Sequence, residues 1–327
     1  LYAMYPFVLI NLFVVTMNFY GKDLLQSATV QKLVSLFLPA GANISEGSTL
    51  VGTLNQWNYM SGMFAMMAVL FLAAALVGNE LKHSLAHLLL AVISIAIVFM
   101  SLSASGFLTF VVMLPFLALA IIKVKNKKQS ISLLVGFLIL AVIVFQPLVK
   151  QNPTIWNESF GIFTAENPYE KEVSIPKEFF ENKAYASEAF ELPVLPESAI
   201  SAGSGRVYIW TKTLEIVKEK PFFGYGMDSF MYNFPHFNID ARAGLSTEEM
   251  ITDKPHNVFV GILYGTGFVG FISVIAFVIL SIVMALKVAI QKNNAPIFIL
   301  GAAWVAFLIQ AMFNDSLPGI TAVAFVL

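Results

Sequence analysis

Seven apolar runs in this chain have about the length that a helix needs to cross a lipid bilayer. A span takes about 20 residues, because the hydrocarbon core is about 30 Å thick and a helix rises about 1.5 Å per residue. The runs cover residues 3–20, 59–77, 85–101, 105–122, 131–148, 257–286 and 296–313, and another begins near Pro318. So many runs predict an all-α, polytopic bundle of transmembrane helices rather than buried helices of a water-soluble core.

The composition agrees with lipid as the solvent for much of the chain. Hydrophobic residues make up 58% and charged residues 12%, whereas soluble domains carry about 25% charged residues. The net charge of −1 argues against a nucleic-acid partner, and the absence of cysteine excludes disulfides and thiolate metal sites. Because Leu1 and Leu327 both lie inside apolar runs, we expect the sequence to be a piece of a longer protein with further helices at both ends.

The loops between the runs predict the orientation in the membrane. Residues 123–128 hold four lysines and no acid, which indicates a cytoplasmic loop. Counting spans from this loop places 21–58 and 149–256 outside the cytoplasm. We therefore predict N-terminal transmembrane helices in 1–148, a large extracytoplasmic loop in 149–256 and C-terminal transmembrane helices in 257–327.

The loop at 149–256 holds 16 of the 20 acidic residues, 10 of the 19 basic residues and both arginines. A loop of this length is often functional. Its second half predicts an amphipathic helix at about 205–220, with Ser204 as a candidate N-cap and Pro221 as a stop signal. We expect this helix to lie along the outer membrane surface. Its apolar face would consist of Val207, Trp210, Leu214 and Val217.

Two further features concern the membrane runs themselves. The run at 257–286 is too long for one plain span and carries Gly265, Gly267 and Gly270, so we expect a bend or a re-entrant segment there. The runs are almost free of ionisable residues, whereas ion-coupled transporters usually keep such residues at mid-membrane depth. This pattern favours a site at the outer interface.

Candidate chemistry lies where the outer segment meets the membrane. Ser204-Gly205-Arg206 begins the predicted helix, and both a helix N-terminus and a guanidinium favour phosphate. Arg206 could instead reach out to lipid headgroups. His256 precedes the long apolar run, where it could be a base, a phosphate ligand or an interfacial polar residue. Arg242 has the same capacity to bind anions but lies in no motif.

The order of these elements resembles the signature of the O-antigen ligase/polymerase family of bacterial membrane glycosyltransferases. The signature residues are S-G-R at 204–206, Trp210, P-x-x-G-x-G at 221–226, H-N at 256–257 and G-x-G-x-x-G at 265–270. Upstream, G-T at 52–53 with N-Y at 58–59 and S-A-S-G at 103–106 resemble two more family elements. Ala104 stands where the family has an arginine, which leaves the second phosphate ligand unidentified. The resemblance spans roughly residues 50 to 320.

The resemblance implies a GT-C-like fold in the bacterial inner membrane and an active site outside the cytoplasm. The donor would be a glycan on a polyprenyl carrier, typically undecaprenyl diphosphate, and the acceptor a glycan hydroxyl that attacks the anomeric carbon with inversion. No cofactor or metal is expected. Arg206 and His256 would be catalytic, with His256 either activating the hydroxyl or binding diphosphate. Residues expected to bind substrate are Ser204, Arg206, Trp210 and Asn257, the last also orienting His256. Arg242 is a further candidate by its chemistry only, since it matches no motif.

Several functions fit this resemblance. Lysine predominates over arginine and cysteine is absent, which indicates a low-GC Gram-positive source without lipid A and favours a polysaccharide polymerase. An O-antigen ligase or a protein O-oligosaccharyltransferase of the same family is the alternative. From other classes, a polysaccharide or lipid transporter and a non-catalytic scaffold remain open.

Overall fold

All regular secondary structure in the part of the chain that the structure describes is helical. The computed structural model describes residues 1–24, 27–36, 52–54, 56–122, 124, 126–164, 166–169, 206–236, 251–292, 295–315 and 321. Its helices are α1 (Met4–Phe19), α2 (Ala28–Ser35), α3 (Trp57–Val77), α4 (Leu81–Met100), α5 (Ala104–Ala120), α6 (Lys127–Gln151), α7 (Thr154–Asn157), α8 (Arg206–Val217), α9 (Phe230–Asn233), α10 (Val258–Lys292) and α11 (Ala295–Gln310), with a 3₁₀ turn at Phe160–Phe163.

Each of the seven predicted apolar runs forms a helix. Four of them, α3, α4, α6 and α10, are long and apolar enough to cross a bilayer. The helices α1, α5 and α11 are equally apolar but have 16, 17 and 16 residues. These helices confirm the predicted polytopic membrane protein, whereas the run that begins near Pro318 falls outside the described residues apart from Thr321.

The larger of two compact units comprises Leu1–Asn167 and Ala276–Leu327. Its centre is α3, which packs against α4, α5, α6 and α11. Phe64 and Phe71 of α3 are completely buried, together with a run of alanines and methionines that lets the neighbouring helices approach closely. The helix α6 lies at the margin, because Ile131, Leu138 and Val142 are exposed, as expected of a face in contact with lipid.

The smaller unit, Pro168–Ile275, contains α8, α9 and the first half of α10. The start of α8 at Arg206 and its end at Val217 agree with the predicted helix and with Pro221 as its stop signal. A small core holds the unit together; its buried residues are Ile209, Val217, Phe230, Phe234 and Tyr264. The two units are defined by which residues pack together. The predicted domains are defined by the side of the membrane on which each segment lies, so that division stays a prediction.

The predicted apolar face of α8 is divided between the core and the surface. Val217 is buried, but Val207 and Leu214 are 54% and 45% exposed. Ile209 and Thr213, on the neighbouring strip of the helix, are buried instead. The core of the smaller unit therefore covers one edge of the apolar face of α8. Val207 and Leu214, which we predicted to lie on the buried face, are exposed to solvent or lipid.

The predicted bend in the long apolar run lies at Gly267 of α10. This residue has φ 63° and ψ −167°, a backbone conformation that residues with a side chain rarely adopt. The break leaves backbone groups of α10 without partners in the helix. Backbone groups of residues 221–226, here called the 221–226 loop, bond to them. Tyr225 and Gly226 donate N–H groups to the carbonyls of Tyr264 and Gly265 at 3.0 and 2.9 Å, and Phe268 and Val269 donate to the carbonyls of Pro221 and Phe222 at 2.7 and 3.2 Å.

The glycines of the two motifs allow this close contact. Gly224 has φ 67°, and a Cβ there would collide with the backbone of Tyr264 and Gly265. A Cβ on Gly267 would collide with the backbone of Phe222. The P-x-x-G-x-G and G-x-G-x-x-G patterns thus form the two halves of one backbone contact.

Candidate active site

Trp210 connects α8 to the segment that precedes α10. Its indole N–H donates a hydrogen bond of 2.7 Å to the carbonyl of Pro255, the residue before His256. Arg206 is the first residue of α8 and lies one turn before Trp210, so the two side chains project from the same side of the helix. Although distant in sequence, the segments that carry Arg206 and His256 are therefore joined by this bond, and they are here called the corner of the smaller unit.

The backbone around His256 turns sharply into α10. His256 has φ 52°, in the left-handed region that is uncommon for residues with a side chain. Asn257 then caps the helix, because its side-chain oxygen accepts the backbone N–H groups of Phe259 and Val260 at 2.9 and 3.1 Å. Asn257 is 7% exposed. The imidazole thus stands immediately before a helix N-terminus, where the aligned peptide dipoles produce a positive potential.

Four of the six predicted site residues are among the described residues of this unit. Arg206, Trp210, His256 and Asn257 contribute to the corner just described, whereas Ser204 and Arg242 lie outside the described residues. The capping role of Asn257 is an addition to the sequence analysis. Its expected role in orienting His256 and binding substrate stays a prediction.

Tyr264 connects this corner to the rest of its unit. Its ring stacks on Tyr225 with centroids 5.4 Å apart and an interplanar angle of 6°. The Tyr264 hydroxyl lies 3.0 Å from the Ser229 hydroxyl and accepts a hydrogen bond of 2.9 Å from the Asn233 amide. Sequence reasoning missed this residue; a tyrosine within the apolar run at 257–286 was the available signal.

Polar groups also surround Tyr225, the second ring of this stack. The Tyr225 hydroxyl donates a hydrogen bond of 2.7 Å to Glu219, and this bond raises the pKa of Tyr225 to about 12. Lys220 Nζ lies 4.4 Å from the centroid of the Tyr225 ring. Near neutral pH the tyrosine is therefore an uncharged ring beneath an ammonium group.

In the larger unit, the S-A-S-G segment forms the start of α5. The Ala104 N–H donates a hydrogen bond of 3.1 Å to a carboxylate oxygen of Glu158. The Ser61 hydroxyl donates to the Ser103 carbonyl at 3.0 Å and accepts the Gly106 N–H at 3.2 Å. Where the family pattern has an arginine, this chain therefore has an alanine whose backbone bonds to an acid. Sequence reasoning missed Glu158, which lies outside every motif.

Buried polar side chains continue from this segment into the bundle. Gln310 of α11 accepts a hydrogen bond of 3.0 Å from Thr109 and donates one of 3.4 Å to Ser105. All three side chains are at most 2% exposed. Buried polar groups need such partners, and their bonds here join α5 to α11.

The G-T element upstream of α3 has partners on α1. Gly52 donates its N–H to the Asn18 side-chain oxygen at 3.1 Å, and Thr53 donates to that of Asn11 at 3.0 Å. Asn11 is completely buried. Both asparagines interrupt the first apolar run, and that interruption is the signal that could have identified them.

Comparison with known proteins gives one family. Residues 89–275 match the sequence model of the O-antigen ligase family, which amounts to 187 of the 327 residues. The matched stretch contains the S-A-S-G segment, α8, His256 and the break in α10. No curated protein matches the chain.

Proposed function

Because the chain belongs to the O-antigen ligase family and has the membrane glycosyltransferase activity of that family, we propose that it is a polysaccharide polymerase. In this proposal, glycan passes from a polyprenyl-diphosphate carrier, typically undecaprenyl diphosphate, to the hydroxyl of a second glycan. The reaction takes place at the extracytoplasmic face of the bacterial inner membrane. The active site is the corner at α8 and the start of α10.

The hydrogen bond from Trp210 to Pro255 is the observation that carries this assignment. It joins the helix that begins with Arg206 to the backbone that presents His256. A guanidinium binds phosphate oxygens in a bidentate fashion, and the positive end of the α10 helix dipole favours anions. The Arg206 guanidinium, the His256 imidazole and the N-terminus of α10 would together stabilise a diphosphate leaving group, which gains negative charge as its bond to the sugar breaks.

The proposed reaction breaks one bond and forms one. The acceptor hydroxyl oxygen forms a bond to the anomeric carbon while the bond from that carbon to the phosphate oxygen breaks, and the diphosphate retains the electron pair. Arg206 stabilises the charge that develops on the departing diphosphate. His256 takes the hydroxyl proton as general base, or it binds the diphosphate and the proton passes to solvent.

Product formation in vesicles tests the proposal. Purified protein is incubated with a polyprenyl-diphosphate glycan of defined length, and the product length is followed by mass spectrometry. We expect Arg206→Ala to lower the rate by about 100- to 1,000-fold, as when a fixed donor to a developing oxyanion is removed. Lys218→Ala, at an exposed lysine just beyond α8, is the matched control and should retain the wild-type rate. Wild-type rates for both Arg206→Ala and His256→Ala would contradict the site.

The same assay separates polymerase from ligase. A polymerase leaves a ladder of longer glycans attached to polyprenyl diphosphate. A ligase leaves the donor unchanged until lipid A core or a protein acceptor is added, and then transfers the chain once. The lysine-rich, cysteine-free composition supports the polymerase.

The pH profile of kcat/KM separates the two roles of His256. For a general base, the wild-type profile has an acid limb that is missing in His256→Ala. For a phosphate ligand, His256→Ala chiefly raises KM for the donor, while the shape of the profile is kept.

A further inference from the structure

The 221–226 loop carries a cluster of exposed aromatic surface. Phe222 and Phe223 are 65% and 78% exposed. Beside them on α10, Phe268 and Val269 are 45% and 52% exposed. The bond of 3.2 Å from the Val269 N–H to the Phe222 carbonyl makes the two segments neighbours. Apolar patches of this kind are unfavourable in water and mark surfaces that contact a membrane or another protein.

The length of α10 indicates the depth of this patch. After Val258, the first charged residue on the helix is Lys287, and the stretch from Val258 to Lys287 has 30 residues. A hydrocarbon core about 30 Å thick takes about 20 residues. Counted back from Lys287, such a span ends near Gly267. The break and the 221–226 loop bonded to it therefore lie at the outer boundary of the core, and the first turns of α10 project beyond it.

A basic side chain stands next to the exposed phenylalanines. Lys220 directly precedes the loop and lies against the Tyr225 ring. A cation beside aromatic side chains is the usual pattern of residues that anchor a protein at the membrane–water interface. Glu219, adjacent in sequence, balances this charge, so the pattern indicates contact with the bilayer surface in general rather than selection of anionic headgroups.

We propose that the 221–226 loop is a membrane wedge. Phe222 and Phe223 insert among the acyl chains of the outer leaflet, and Lys220 remains at headgroup level. The backbone of the loop can lie at this depth because its N–H and carbonyl groups bond to those of the broken helix. If the proposed function holds, the wedge also keeps Arg206 and His256 at the height of the phosphates of a lipid-linked donor.

Spin labels test the wedge directly, because the absence of native cysteine allows a single label at each chosen position. Phe223→Cys is compared with two controls in vesicles. Glu215→Cys labels the charged side of α8, where the side chain is 52% exposed, and Ile279→Cys labels an exposed position on the second half of α10. Collision rates with oxygen, which concentrates in lipid, and with a water-soluble nickel chelate are measured for each label.

We expect the label at 223 to resemble that at 279, with frequent oxygen collisions and nickel collisions at least tenfold rarer than at 215. Nickel accessibility equal to that at 215 would overturn the wedge. Protection from both reagents that arises only when lipid-linked glycan is added would also overturn it, because the carrier would then be the occupant. The thermal unfolding of each labelled protein confirms that it is folded. The assay needs no turnover, so its failure is distinct from failure of the proposed glycosyl transfer.

Discussion

The indole of Trp210 combines a packing surface with a hydrogen bond that a phenyl ring cannot replace. Trp210→Phe keeps most of the ring and removes the donor to Pro255. The loss of one such bond costs about 0.5–1.5 kcal/mol of folding free energy. Because this bond also positions the backbone of His256, we expect the rate of polymer formation to fall by at least tenfold.

A second tryptophan in the chain provides the matched control for this substitution. Trp304 donates its indole N–H to the Ser281 hydroxyl at 3.0 Å, within the larger unit. Trp304→Phe should therefore destabilise the protein similarly, as measured by thermal unfolding, while it leaves the turnover rate near that of the wild type. Equal loss of activity in both variants would show that Trp210 has no special role.

Asn257 offers a second comparison at the scale of single residues. Asn257→Ala removes the cap of α10 and should cost about 1 kcal/mol in thermal unfolding, whereas Asn257→Ser keeps a capping oxygen and should cost less. If the side chain also touches substrate, Asn257→Ser remains slow despite restored stability. Recovery of the wild-type rate by serine would limit Asn257 to the cap.

Motif order was sufficient to identify Arg206, Trp210 and His256 as candidates, because these residues stand at fixed places relative to turns and membrane runs. Partners that meet across long stretches of sequence were not predictable. Glu158 bonds to the backbone of Ala104, and any residue can present a backbone N–H. A side chain that pairs with such a group produces no pattern in the sequence.

At the scale of elements, the interlocked glycines of α10 and the 221–226 loop lead to a test of stability. Gly267→Ala places a methyl group against the backbone of Phe222 at a φ of 63°. The strained backbone alone costs about 1–3 kcal/mol, and we expect a lower unfolding temperature together with reduced activity.

Gly136 of α6 is the control for this change. A Cβ at Gly136 meets open space among the described residues, and alanine in a helix is about 1 kcal/mol more favourable than glycine. Gly136→Ala should leave the unfolding temperature unchanged or raise it. An equal decrease in both variants would argue against a specific contact at the break.

The limits of prediction at this scale are visible in α8. Its spacing of apolar residues correctly predicted a helix between Ser204 and Pro221. The same spacing could not show which edge of the apolar face becomes buried, because Ile209 packs with core residues contributed by α9 and α10. The bend at Gly267 was predictable from glycine content, but the loop that fills it was not.

At the scale of the whole molecule, hydropathy identifies the membrane helices but does not predict which of them are buried at the centre of the bundle. The most apolar windows of α3 and α6 have mean hydropathies of 2.3 and 2.6, yet they are 94% and 22% buried. Lipid and protein interior are equally apolar, so hydropathy does not distinguish them. The small residues of α3 are the better signal for a central helix.

The predicted orientation has a direct test that again uses the absence of cysteine. Lys128→Cys and Lys218→Cys replace exposed lysines on the predicted cytoplasmic and outer sides of the membrane. In intact cells, a membrane-impermeant maleimide should label Lys218→Cys. Lys128→Cys should be labelled only after the cells are permeabilised. The reverse pattern would invert the topology and place the proposed site in the cytoplasm.

The interrupted ladder of α10 has a mechanical consequence. A continuous helix passes twisting or sliding along its whole length. Here the stretch from Val258 to Thr266 is fastened through Tyr264 and Gly265 to the chain leaving α8, so a tilt of either carries the other along. The same loop also bonds to Phe268 and Val269, which follow Gly267, so it braces the helix on both sides of the break. A tilt of α8 is therefore passed to α10 on both sides of Gly267, although the helix itself is interrupted there.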